Sequence, residues 1–230
     1  MKRQLIFAIC ATFCMAGHIM DSPEANPDCV LALTFNEGQG AKDWSREQHS
    51  TQVINATFSG TGGISGGGYA YNVYPDNRII VSAGFNNAAV TILFWGKPSN
   101  VNNLQYVTDG NNKRSVILGF QNGNWNIFNG GYPTGTAADT QMAATAGVWQ
   151  HVVYTSDGES DLRGYVNGVE IINVSANLNT SGMTSYWVGD EDSSGSSYVG
   201  SLDEVYIFER VMSNDEIKAM YQQAKGSQNP

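Results

Sequence analysis

Four dipeptides of one kind punctuate the chain: Asp109-Gly110, Asn122-Gly123, Asp157-Gly158 and Asn167-Gly168, each beside short runs rich in β-branched and aromatic residues. Asn-Gly and Asp-Gly supply the positive φ that two-residue hairpin loops demand, so the chain is expected to fold back repeatedly as antiparallel strands. Strand-like runs are read at 29–35, 52–58, 69–74, 78–81, 89–95, 105–108, 115–120, 124–128, 149–156, 162–166, 169–174, 185–189 and 198–208. So many short strands without interleaved helices specify two packed antiparallel sheets and exclude a parallel α/β fold. One helix comes last: Ser213 caps it, Glu216 stands three residues on, and Ile217, Met220 and Tyr221 share the face that docks.

The run Trp149 to Thr155 has no polar face, since Trp149, His151 and Val153 alternate with Gln150, Val152 and Tyr154. It is expected to be a central strand, with His151 a core histidine and with Trp95 and Trp149 structural. With 41% hydrophobic and 14% charged residues and 26 glycines in 230 positions, disorder and coiled coil are excluded and one sandwich core suffices. A formal net charge of −9 repels phosphate backbones, so nucleic acid is not expected as a partner.

At the N-terminus Lys2 and Arg3 precede an apolar run from Leu5 to Ala16, too short to anchor in a bilayer. Residues 1–16 are expected to be a signal peptide, its end placed between 16 and about 25, so the mature protein would be secreted with no membrane insertion. Cleavage removes Cys10 and Cys14 and leaves Cys29 alone, so the folded domain, set at 29–224 behind a polar linker, holds together without an internal disulfide.

Four separated blocks resemble, in order, the laminin-G-like domains of the concanavalin A-like lectin/glucanase superfamily. They are the stretch from Leu31 to Gly40 with Asp43 and Ser45, the stretch from Val90 to Pro98 ending Trp-Gly-Lys-Pro, the stretch from Gly147 to Gly168, and the stretch from Tyr198 to Ile217. The resemblance implies a jelly-roll sandwich that recognises carbohydrate or an extracellular glycoprotein, whether as a lectin or as an adhesion or structural module. It equally includes glycoside hydrolases and polysaccharide lyases, so the site must decide.

A retaining glucanase needs two carboxylates about 5 Å apart on one strand face, and no Glu-x-Asp-x-x-Glu run is present. The nearest carboxylates are Glu159, in a turn, and Glu204. A lyase constellation, a serine triad and a phosphate loop are also missing, so the domain is expected to be non-catalytic. For sugar recognition, aromatic faces beside loops rich in Asn, Gly and Ser are the residues of choice, which selects Trp125, Tyr132 and Trp187, although aromatics in sandwiches are mostly core. The acidic loop 190–195 adds Asp190 and Asp192 as partners for hydroxyls or calcium, with ordinary solvated carboxylates as the alternative.

The resemblance further implies a structural calcium ion held by Asp43 in the first loop and Asp203 in the closing strand. Against it stands a plainer role, Asp43 making turn hydrogen bonds and Asp203 ending a strand.

Overall fold

The computed structural model describes residues 22–36, 41–64, 68–70, 77–84, 89–110, 117–128, 137–175, 183–190 and 196–226. A 3-10 turn, Pro23–Ala25, leads into fifteen strands among the described residues. These are β1 (Cys29–Leu33), β2 (Thr51–Ile54), β3 (Thr57–Ser59), β4 (Gly68–Ala70), β5 (Arg78–Val81), β6 (Val90–Pro98), β7 (Gln105–Gly110) and β8 (Ile117–Gln121). β9 (Asn124–Phe128), β10 (Ala137–Ala143), β11 (Gln150–Ser156), β12 (Leu162–Val166), β13 (Val169–Val174), β14 (Tyr186–Val188) and β15 (Gly200–Phe208) follow, and the helix α1 (Asn214–Gly226) closes the chain.

The strands form two antiparallel sheets, the jelly-roll sandwich expected from the sequence. One has eight strands, ordered β13-β12-β11-β6-β15-β4-β3 with β1 also on β15; the other has seven, ordered β10-β9-β8-β7-β14-β5-β2. The hairpins turn where expected: Asn122 and Gly123 have φ of 54° and 79°, and Asn167 and Gly168 have 54° and 76°. Asp109-Gly110 does not turn. Both residues lie inside β7, where Asp109 pairs opposite Trp187 and Gly110 opposite Tyr186. The expected strand at 52–58 is interrupted by Asn55, whose φ of 53° divides it into β2 and β3. β10 was not foreseen, because Ala-Ala-Asp-Thr-Gln-Met-Ala carries neither alternation nor β-branched weight.

Alternation sorts the eight-stranded sheet into two apolar faces. Leu31, Ile92, Phe94, Val152, Tyr154, Val205 and Ile207 meet Ile79, Val81, Ile127, Tyr186 and Val188 of the other sheet in the main core. Their neighbours Ala32, Leu93, Val153, Tyr206 and Phe208 point outward into a second core, closed by Met212, Ile217 and Met220. This is why β11 reads apolar on both sides, and it makes the helix a lid over the outer face. Tyr221 of the helix stacks on Trp95, ring centroids 5.8 Å apart, and His151 is buried beside them as expected. The capping box is formed: Ser213 N–H donates to Glu216 Oε2 at 2.8 Å, and Glu216 N–H points back to Ser213 Oγ at 3.4 Å.

Candidate functional site

On β5, Ile79 and Val81 enter the core, so Arg78 and Ile80 stand on the outer face of the seven-stranded sheet. β14 repeats the pattern: Tyr186 and Val188 are core, and Trp187 between them faces outward, opposite Ile80 and Asp109 in register. One strand and its neighbour thereby bring Arg78 beside Trp187. The guanidinium carbon lies 4.4 Å from the indole centroid, a cation–π contact, and Trp187 Nε1 donates to Ser185 Oγ at 3.2 Å. Immediately after β14, Gly189 with φ of 102° turns the chain so that Asp190 approaches Arg78 Nη1 at 3.8 Å. An indole, a guanidinium and a carboxylate thus converge at the end of β14. Such a set offers an apolar ring and a partly exposed guanidinium as paired donors, with the buried carboxylate of Asp190 holding the guanidinium in place.

Of the residues selected from the sequence, the structure brings together Trp187 and Asp190. Asp190 is nevertheless fully buried instead of solvated, because Arg78, brought by a strand more than a hundred positions earlier, covers it. Arg78 itself was not singled out. Its signal was the single cation in an otherwise apolar run, Arg78-Ile79-Ile80-Val81. Tyr132 and Asp192 lie outside the described residues.

Trp125 is corrected. Its ring is fully buried between the sheets, edge-on to Phe94 at 5.6 Å, and Nε1 donates to Gln150 Oε1 of the opposite sheet at 3.2 Å. Gly96 makes the space, since a Cβ there would meet the indole at 2.9 Å. Trp95 is buried in the outer core as expected, and Trp149 is half-buried with Lys97 6.0 Å above its ring.

Asp43 is buried and accepts five hydrogen bonds: Ala32 N–H and Ser45 N–H on Oδ1 at 3.0 and 2.9 Å, and Ser45 O–H, His49 N–H and His49 Nδ1 on Oδ2 at 2.9, 2.9 and 2.8 Å. Asp203 accepts Ile64 N–H on Oδ2 at 2.7 Å and Glu204 N–H on Oδ1 at 2.9 Å. Both carboxylates face donor hydrogens, and among the described residues no three His, Cys, Asp or Glu side chains gather where a metal ion could sit. The two residues as placed do not fit a calcium ion, and Asp43 takes the plainer role of holding the first loop. Asp157 is likewise structural: it accepts the N–H groups of Glu159, Ser160 and Asp161 at 2.8 to 3.0 Å, so the turn carrying Glu159 is a self-bonded loop.

A family model described as the concanavalin A-like lectin/glucanases superfamily matches residues 66–218. No curated protein sequence matches the chain. Among solved structures, domain 4 of AbnA, a GH43 extracellular arabinanase from Geobacillus stearothermophilus, in complex with arabinotriose, aligns at TM-score 0.66 and 15% identity. That alignment covers 85% of this chain and 98% of that domain. The binding domain of Paraclostridial Mosquitocidal Protein 1 aligns at TM-score 0.67 and 16% identity over 85% of this chain and 52% of its own length. A botulinum neurotoxin serotype D binding domain gives 0.66 and 18% over 86% and 52%. The chain therefore spans about half the length of the toxin binding domains that it matches.

Proposed function

Because this chain belongs to the concanavalin A-like lectin/glucanases superfamily, we propose that it is a secreted, non-catalytic domain that binds carbohydrate through the outer face of its seven-stranded sheet. The observation that carries the reading is the convergence of Arg78, Trp187 and Asp190. A sugar ring needs an apolar surface for its C–H face and charged hydrogen-bonding groups for its hydroxyls, and hydrogen bonds to charged groups are roughly twice as strong as neutral ones. That an arabinanase domain of the same fold is known in complex with arabinotriose supports a sugar ligand. Secretion follows from the export signal read at residues 1–16, and no helix among the described residues is long and apolar enough to cross a membrane.

A glycan array that includes arabino-oligosaccharides, galactans and sialylated glycans tests the reading. Binding to a defined glycan is expected, with Trp187→Ala and Arg78→Ala each weakening it at least tenfold and no reducing ends released on long incubation. Capture of proteins alone would favour an adhesion module. Hydrolysis abolished by Glu204→Gln would make the chain a glycosidase.

A further inference from the structure

On the opposite side of the molecule, a cavity of about 200 Å³ lies between α1 and the outer face of the eight-stranded sheet. Trp95, His151, Glu204 and Tyr206 line it from the sheet, Glu24 from the 3-10 turn and Gln223 from α1. It lies outside the sheet-face patch and uses none of its residues.

Two features distinguish it from a packing gap. The first is Glu204, whose φ of 51° is a conformation that few residues other than glycine adopt, at a bulge where β15 slips against β6 between Asp203 and Tyr206. A bulge re-aims the side chain it carries, and here it places a carboxylate in the cavity, where the Tyr206 hydroxyl donates to Oε2. The second is His151. Its ring lines the cavity, 5.2 Å from Trp95 and 6.1 Å from Tyr221, and its buried Nδ1 has no hydrogen-bond partner. Burial lowers the imidazole to about 3, so the ring is neutral, one nitrogen donating and one accepting.

The chemistry of the lining selects the occupant. Glu24 and Glu204 are acceptors, Thr34, Asn36 and Gln223 are neutral hydrogen-bonding groups, and no Lys or Arg lines the cavity among the described residues. An anionic ligand would meet like charge without a counter-ion, and a hydrocarbon would strip water from carboxylates without replacing its hydrogen bonds. A polyhydroxyl compound satisfies both constraints. The volume is below the roughly 300 Å³ at which sites for drug-sized ligands begin, which limits the occupant to about one ring. We propose that this cavity binds a single neutral sugar unit, its hydroxyls donating to Glu204 and one of them hydrogen-bonding the imidazole of His151.

The test is histidine-resolved NMR of the whole protein, titrated with D-glucose, D-galactose, L-arabinose and N-acetyl-D-glucosamine, with sodium glucuronate as the anionic counterpart. At least one neutral sugar is expected to shift the His151 imidazole signals saturably, and glucuronate to bind at least tenfold more weakly. Glu204→Gly should lose that sugar at least tenfold and still fold, since glycine accepts the positive φ and the relief offsets the acceptor that the Tyr206 hydroxyl loses. If Glu204→Gly does not fold, Glu204→Gln removes the charge at constant shape and should show the same loss. Trp187→Ala should leave the cavity titration unchanged, which separates a failure here from a failure at the sheet face. No response of His151 to any neutral sugar, equal binding of glucuronate, or unaltered affinity without the Glu204 carboxylate would overturn the proposal.

Discussion

Asp43 is a side chain cut off from water, its carboxylate bonded to five donors from three residues. Asp43→Asn would turn an amide NH₂ toward the hydrogens of Ser45 and His49, or break the pair from Ala32 and Ser45 if flipped. Because bonds to a buried charge contribute about 1.5–3 kcal/mol each and a stranded donor costs comparably, the substitution is expected to destabilise the fold by about 3 kcal/mol or more in urea unfolding. The same donors bear on calcium, which would need the lone pairs they occupy. Calcium is accordingly expected to leave Tm unchanged; a rise that disappears in Asp203→Ala would reinstate the metal. Cys29, close by, has its thiol pushed up to about 12 by burial and then by the Asp43 charge, so it contributes packing and not reactivity.

At the scale of elements, the helix is held to the outer core by its cap as well as by its apolar face. Ser213→Ala removes one half of the capping box and is expected to cost about 1 kcal/mol in thermal or denaturant unfolding. Burial works against ionisation of Glu216, but hydrogen bonds from Arg210 and Ser213 outweigh it and draw the carboxyl from 4.5 to about 2. A folded-state value below the unfolded one means that this contribution is complete above about pH 4.5 and fades as the pH falls towards 2, so Glu216→Gln should flatten that part of the acid-unfolding curve. This cap was legible in the sequence because both partners lie three positions apart, and the Asn-Gly hairpins were legible for the same reason. The misreadings involve partners far apart in sequence. Asp109-Gly110 has the composition of a turn but is held extended by β14, some eighty positions on. Trp125 stands next to a hairpin turn and reads as a loop aromatic, yet its partner Gln150 is on the other sheet. Asp190 reads as one of a solvated cluster until Arg78 is placed over it. Local signals specified the turns and the helix, whereas which aromatic or carboxylate would be covered depended on the strand order.

For the whole molecule, the link between Trp125 and Gln150 is a polar tie through the middle of an apolar sandwich, with Gln150 also accepting Thr145 N–H at 2.8 Å and donating to the Ala143 carbonyl at 2.9 Å. Trp125→Ala would leave a large void and take from Gln150 Oε1 one of its two donors, and a loss of about 3–5 kcal/mol by denaturant titration is expected. Trp125→Phe keeps most of the volume and should cost less, the difference reporting the hydrogen bond. The order of strands has a further effect, on time instead of energy. β15, at the end of the chain, is the strand on which β6, β4 and β1 all pair, Cys29 lying opposite Phe208. Loop closure over that separation must be met before any of those pairings is rewarded, which places this topology among slow folders. A ribosome adding about 5–20 residues per second therefore makes the first strand many seconds before its partner exists. The nascent chain stays pliable until β15 emerges, and a premature stop just before residue 200 leaves β1 with no neighbour to join and strips β6 and β4 of one of their two partners.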